Sequence, residues 1–284
     1  MDKIAICAIF KNEAPYLLEW LAFHEMIGAD LFVLYDNGST DGGADLIRGS
    51  SFARDVTVID WPRRAGQIPA YQDFCAKHAA QFGWVAFIDL DEFIMPATGS
   101  SIREILMRRC YADYSAILLQ WLVFGPSGHQ RPPDGLVIEN YIRRLREDFP
   151  ASRHVKSLVR GRAVTSAGTT PHIINVSGPT CNTRGETVLA YAEQPVACHD
   201  TMALHHYFTK SRADWLFKLD RGKADAPDPL TDPYRDGIYF DVERDAVVED
   251  TRAIRFVPRL GCLSEPARLI SRRAGLAQSR HGTE

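Results

Sequence analysis

The chain has 284 residues, of which 45% are hydrophobic, enough to bury one large core, so a single α/β domain is expected over residues 1–265. Its 33 Lys and Arg against 36 Asp and Glu leave a formal net charge of −3, without the basic excess of a nucleic-acid footprint, so no nucleic-acid partner is expected. Six scattered cysteines with no CxxC pair argue against a zinc centre or a disulfide scaffold. No apolar run approaches the roughly 20 residues that span a bilayer, and no leader-like segment opens the sequence, so a soluble, cytoplasmic protein is expected.

Ile4–Phe10 is an unbroken apolar run suited to a buried strand, and Pro15–Ile27 follows with Leu17, Leu18, Leu21 and Phe23 at helical spacing. Pro15 suits the first turn of that helix, where its missing N–H has no role. A second apolar run, Leu31–Tyr35, stops at Asp36-Asn37-Gly38-Ser39-Thr40-Asp41-Gly42-Gly43, a series of turn formers ahead of a short helix over Ala44–Arg48. Val56–Asp60 reads as a third strand, Ala70–Gln81 as a helix, and Trp84–Ile88 as a fourth strand running into Asp89-Leu90-Asp91-Glu92. Strands alternating with helices predict a mostly parallel central sheet flanked by helices.

Beyond Gly99, a helix over Ile102–Arg109 precedes a strand over Ala116–Phe124 and a Gly/Pro-rich loop, Gly125–Gly135. Residues 136–200 read as short strands and turns, before a helix over Arg212–Arg221 and a Pro/Asp-rich loop over Ala226–Pro233. Pro266–Glu284 carries Arg268, Arg272, Arg273 and Arg280 with few large apolar residues, so it reads as a frayed basic tail that could hold the protein at anionic lipid.

Ligands of open α/β sheets bind beyond the carboxyl ends of the strands, where loops converge. Those positions here are polar: Lys11-Asn12-Glu13 after the first strand, Asp36-Asn37 after the second, the Gln67 region after the third and Asp89-Leu90-Asp91 after the fourth. No GxGxxG or GxxxxGK[ST] stands in the first turn, which argues against dinucleotide and P-loop cradles. Two carboxylates two residues apart at a strand end suit Mn²⁺ or Mg²⁺, hard ions that bridge carboxylates to substrate phosphates.

Three segments, Ala5–Glu13, Leu34–Asp41 and Ile88–Phe93, resemble the family-2-related glycosyltransferases. His206-Tyr207-Phe208-Thr209-Lys210-Ser211, followed by Lys218 and Arg221-Gly222, is similar to the family 92 branch. The resemblance implies a GT-A fold, with a donor half over 1–98 and an irregular acceptor half over 99–265. It implies a nucleoside diphosphate sugar donor, commonly a UDP-sugar, with inversion at the anomeric carbon and a saccharide or glycolipid acceptor. Carried over by residue, it puts Lys11, Asn12 and Glu13 on the nucleotide pocket and Asp36 on uracil or ribose. Asp89 would face ribose or metal, Asp91 would bind the metal, and His206 would complete its coordination or touch the diphosphate. Lys210, Lys218 and Arg221 would neutralise phosphate charge.

Inversion needs a general base, and the resemblance to family-2 enzymes, which often place an Asp of a Glu-Asp pair near the acceptor, implies Asp148 of the Glu147-Asp148 pair, with Glu92 and Glu147 as alternatives. Other readings stay open beside these. Arg143, Arg144 and Arg146 suit a solvated face, His172 and His199 suit structural roles, and Trp121 or Phe124 could stack on an acceptor sugar. A sugar nucleotidyltransferase and a non-catalytic nucleotide- or sugar-binding protein are the competing functions.

Overall fold

Strand β1 (Ile4–Phe10) is buried at all seven positions. Helix α1 (Ala14–Met26) returns the chain to β2 (Leu31–Asp36), α2 (Gly43–Arg48) leads to β3 (Val56–Asp60), and α3 (Gln67–Lys77) leads to β4 (Trp84–Phe87). The computed structural model describes residues 3–99, 101–222, 224 and 236–263. Along β1 the twofold period of a strand divides the side chains between two cores. Ile4, Ile6, Ala8 and Phe10 pack with α1, and Ala5, Cys7 and Ile9 pack with α3. Cover on both faces is what allows an unbroken apolar strand in place of an alternating one.

Helix α3 begins at Gln67, three residues before the expected Ala70, because Pro69 sits in its first turn, where a missing N–H is tolerated. The helix gives way at His78 to a separate 3₁₀ turn over Ala79–Gln81. Strands β3, β2, β1 and β4 form the parallel half of the sheet.

The remainder departs from simple alternation. After the acidic loop the chain enters β5 (Glu92–Pro96), buried throughout and not among the expected elements. Helix α4 (Ile102–Leu106) is shorter than expected and opens with a capping box between Ser101 and Glu104. Strand β6 (Ala116–Val123) follows, then helix α5 (Val137–Asn140) and β7 (Arg143–Arg144). Strand β8 (Val155–Arg160) inserts antiparallel between β4 and β6. Next come β9 (Val164–Ala167) and β10 (Ile174–Val176), a separate hairpin, and β11 (Thr180–Cys181) beside β6. Strand β12 (Met202–His206) runs parallel to β6 and antiparallel to β5. Five of the eight ladders in this curled sheet are parallel, so it is mostly parallel as expected, and residues on either side of position 98 share it.

Helix α6 (Arg212–Arg221) has the predicted bounds and a capping box between Ser211 and Asp214. Helix α7 (Asp236–Asp245), β13 (Val248–Glu249) and α8 (Val257–Leu263) complete the described chain. Of the basic cluster, Arg144 is buried rather than solvated: it pairs with Asp250 at 2.7 Å beside the β7–β13 ladder. The expected basic tail, 266–284, and the loop over 226–233 lie outside the described residues.

Two contacts from α1 fix the acidic loop from behind. Trp20 is fully buried and its indole N–H donates to the Glu92 carbonyl at 2.8 Å, so a large apolar anchor also satisfies its one donor. One turn later His24 is sandwiched between Trp20 and β5. Its Nδ1 lies 2.8 Å from the Trp20 carbonyl and must donate there, which leaves Nε2 to accept the Ile94 N–H at 3.2 Å. Burial pushes the His24 pKa down to about 3, so the ring packs as a neutral core residue.

Candidate functional site

The loop leaving β4 is folded on itself by two hydrogen bonds: the Asp89 N–H donates to Glu92 Oε2 at 2.8 Å, and the Glu92 N–H donates to the Asp89 carbonyl at 3.1 Å. The β5–β12 register then sets His206 opposite Glu92, which carries His206 to the side of Asp91. One short segment and one register thus gather two acids and an imidazole at the carboxyl end of the parallel strands.

Each acid is met by a lysine from a distant part of the chain. Asp89 Oδ2 accepts from Lys156 Nζ at 2.8 Å, and its Oδ1 accepts from Gln67 at 2.6 Å and from the Tyr71 hydroxyl at 3.4 Å. Asp91 Oδ2 accepts from Lys218 Nζ at 2.8 Å, and His206 Nε2 lies 3.5 Å from its Oδ1. Burial opposes ionisation of Asp91, but Lys218 and His206 outweigh it and hold the carboxyl well below the usual range. Burial pushes Glu92 the other way, well above the usual range, against the pull of Lys156. Burial also opposes a charge on Lys156, yet Asp89 and Glu92 prevail and raise its pKa. His206 is lowered by burial in spite of Asp91.

Around these acids opens a cavity of about 550 Å³, within the range of small-molecule sites. Its walls carry six cationic side chains, Lys11, Arg63, Arg64, Lys156, Lys218 and Arg221, against the three carboxylates Glu13, Asp89 and Asp91. The excess of positive charge favours an anionic ligand. One end is formed by Asn37, Gly38 and Pro62–Ala65, a loop braced by Asn37, whose amide donates to the carbonyls of Trp61 and Arg63 at 2.8 Å each. Gly66 closes that loop because a Cβ there would meet the Arg63 carbonyl at 2.8 Å. The other end is formed by Trp121, Pro171 and His172. There His154 stacks on Trp121 with ring centroids 5.0 Å apart, and His172 packs at 5.3 Å from the same indole.

The residues predicted from sequence divide into those that line this cavity and those that support it. Lys11, Glu13, Asp89, Asp91, His206, Lys218 and Arg221 line it. Arg221 joins helix α6 to the first loop, donating to the Lys11 carbonyl at 2.7 Å and to the Glu13 carboxylate. Asn12, in the left-handed region at φ 52°, turns its side chain away to accept the Thr40 N–H at 2.7 Å. Asp36 accepts the Ser39 N–H at 2.8 Å and closes the turn after β2. Lys210 stands behind Glu13, 3.6 Å from Oε2 and over the Tyr16 ring. These three are not among the lining residues. Asp148 is not brought to the cavity either: its side chain is 69% exposed and is held by Arg146 at 3.0 Å through both carboxylate oxygens.

Lys156, Arg63 and Arg64 are the cationic lining residues that sequence reasoning missed. Residues 136–200 read only as short strands and turns, and the insertion of β8 beside β4 is what buries Lys156. Trp121 and His172 were legible as residue types but not as neighbours of the acids.

Asp89, Asp91 and His206 offer donors of the kind a divalent cation takes, two hard carboxylates and an imidazole. Among the described residues no group of three or more His, Cys, Asp and Glu is close enough to hold an ion unaided. An ion at Asp91 would therefore draw further ligands from a bound phosphate, as Mg²⁺ commonly does.

Paired acids ringed by cations, at the carboxyl ends of a mostly parallel sheet, make an α/β site whose charge favours an anionic ligand. The chain belongs to glycosyltransferase family 92, whose model matches residues 2–220. It is 29% identical over 176 residues to a glycosyltransferase family 92 protein of Oryza sativa subsp. japonica, covering 61% of this chain and 29% of that one. It is 28% identical over 175 residues to another of Arabidopsis thaliana, covering 58% and 30%. The chain thus spans less than a third of the length of these curated relatives. Among solved structures it overlaps HddC from Yersinia pseudotuberculosis with a TM-score of 0.39 and 11% identity, over 67% of this chain and 92% of that one.

Proposed function

We propose that this chain is a metal-dependent, inverting glycosyltransferase of the GT-A type, moving a sugar from a nucleoside diphosphate sugar, a UDP-sugar, to a saccharide or glycolipid acceptor. The observation that carries the reading is the cavity itself, where six cations surround Asp89 and Asp91. Family membership supports the reaction class.

In this reading the nucleoside occupies the Asn37–Arg64 end and the diphosphate lies between Lys218, Arg221 and the paired acids. The sugar and acceptor face Trp121 and His172. Asp91 and His206, with Asp89, would hold Mn²⁺ or Mg²⁺, which when bound offsets the negative charge of the departing diphosphate. Lys218 and Arg221 add fixed positive charge where the leaving oxygens develop theirs. The acceptor oxygen attacks the anomeric carbon as the bond to the diphosphate breaks, and its proton passes to a base.

We assign that base to His172 rather than to Asp148. His172 Nδ1 lies 2.9 Å from the Val155 carbonyl and must donate to it, so Nε2 keeps its lone pair. Burial and Lys156 push the His172 pKa down to about 4, which keeps the ring in its basic form at neutral pH.

The test is thermal stability with UDP, GDP and CMP, each with Mn²⁺ or with chelator, on the wild type and on Asp91→Ala. A Tm rise with UDP and Mn²⁺ that disappears in Asp91→Ala supports the donor site by mass action. No rise with any nucleotide removes it.

A further inference from the structure

The paired acids come with their counter-charges in place. Asp89 meets Lys156 and Asp91 meets Lys218, each at 2.8 Å, and the two lysine side chains are only 1% and 14% exposed. Glu92, the third acid of the cluster, is fully buried and lies 3.9 Å from the Lys156 ammonium. The two ion pairs, Asp89 with Lys156 and Asp91 with Lys218, are therefore each charge-balanced before any ligand arrives. A divalent ion arriving alone would bring two positive charges to a shielded site. One oxygen of each carboxylate it would meet, Asp89 Oδ2 and Asp91 Oδ2, already faces an ammonium group at 2.8 Å, so bidentate binding would have to displace a lysine. An ion arriving with a diphosphate brings its own compensation, since the phosphate oxygens neutralise the ion and accept from the displaced lysine.

The two lysines are not equivalent in this exchange. Lys156 rises from a central strand and is enclosed between Asp89 and Glu92. Lys218 sits on helix α6 at the cavity wall, and besides Asp91 it donates to the Phe208 carbonyl at 3.0 Å and lies 4.6 Å from the centre of the Phe208 ring. Those contacts give its ammonium a seat to keep when it turns from Asp91 to a phosphate.

We propose that Lys218 shields Asp91 from a lone divalent cation and thereby couples metal binding to binding of the nucleoside diphosphate. The inference rests on the metal-dependent donor site proposed above and adds an order to it: ion and diphosphate enter as a charge-compensated pair, and Lys218 moves from carboxylate to phosphate as they do.

The test follows loss of the free Mn²⁺ signal by electron paramagnetic resonance on the whole chain, without nucleotide and with saturating UDP. Wild type should bind Mn²⁺ at least tenfold more tightly with UDP than without it. Lys218→Met should bind Mn²⁺ alone at least tenfold more tightly than wild type, so that the gain from UDP shrinks. Equal affinity of wild type and Lys218→Met for Mn²⁺ alone overturns the coupling and leaves the metal site standing. No Mn²⁺ binding by wild type with UDP, GDP or CDP defeats both this inference and the reading beneath it. Should Lys218→Met fail to fold by circular dichroism, the wild type alone still decides, because linkage requires Mn²⁺ to tighten UDP by the same factor. UDP affinity that calorimetry finds indifferent to Mn²⁺ then overturns the proposal.

Discussion

The Lys156 ammonium lies 2.8 Å from Asp89 although 67 residues separate them, and the strand that carries it is the antiparallel insertion between β4 and β6. The pair links the parallel half of the sheet to the half that follows it. Removing the cation leaves Asp89 beside Asp91 and Glu92 without its main counter-charge. Lys156→Met is expected to cost about 3 kcal/mol, the low end for breaking a buried pair, because Asp89 keeps some contact with solvent. Urea unfolding at pH 7 measures it, and an unchanged midpoint would contradict the role given to Lys156.

Glu19 provides a second buried charge with the opposite tendency. Its carboxylate accepts the N–H groups of Val137 and Ile138 at 2.8 and 3.1 Å, capping the four-residue helix α5 from across the core. Burial raises its pKa from 4.5 to about 7 in spite of those bonds. The folded state thus holds the proton more tightly than the unfolded chain, so the contribution is complete below pH 4.5 and is lost as pH rises through 7. At about 1.4 kcal/mol per pH unit the loss amounts to about 3 kcal/mol. Tm should fall by about 6 °C between pH 5 and 8, and the fall should be absent in Glu19→Gln, which starts lower because it satisfies only one of the two N–H groups.

Glu13 shows the reverse sign. Burial opposes its charge, but Lys210 and Arg221 prevail and lower its pKa. Its stabilising contribution is present above the unfolded carboxylate pKa and is lost as pH falls through the folded one. Glu13→Gln should therefore be destabilised by about 2 kcal/mol at pH 7, within the range for a hydrogen bond between charged groups. Wild type and variant should converge toward pH 3 in urea titrations, and a gap that persists in acid would contradict this assignment.

The assignment of the base to His172 predicts that catalysis and binding separate there. His172→Asn should lower kcat by at least about 100-fold, the lower bound for loss of a general base, while UDP affinity by calorimetry stays within twofold of wild type. Because the base must be unprotonated and its pKa is about 4, wild-type kcat/KM should be level from pH 6 to 8 and fall only as pH drops toward 4. A rate limb near pH 6.5, or an Asp148→Asn variant as impaired as His172→Asn, would move the role elsewhere.

Much of the fold over residues 1–98 was legible because its signals are local. Apolar runs of strand length, Pro15 in a first turn and the turn formers after Tyr35 each report on their own few residues, and β1, β3 and α6 keep their predicted ends. Strands β5, β8 and β12 were not legible, since their burial comes from partners far away in the chain: Glu92 and Lys156 look solvent-facing until β8 and β12 close over them. The same holds at the site. Asp89 and Asp91 announce themselves by spacing, and Lys218 was named by resemblance though not as the partner of Asp91, whereas the meeting of Lys156 with Asp89 and the contact of His172 with Trp121 exist only through sheet order. Asn12 and Asp36 stood at the right strand ends, but their short side chains bond to nearby N–H groups and brace the rim, as Asx residues in turns commonly do.

The measurement that tests the central claim most directly is nuclear magnetic resonance of sugar release from a panel of α-linked UDP-sugars with Mn²⁺, comparing wild type with Asp91→Asn. The account predicts that at least one donor is cleaved to UDP and a sugar that appears first as the β-anomer, and that Asp91→Asn slows this by at least about 100-fold. First appearance of the α-anomer would contradict inversion. Equal rates in wild type and Asp91→Asn would contradict the placing of the chemistry in this cavity.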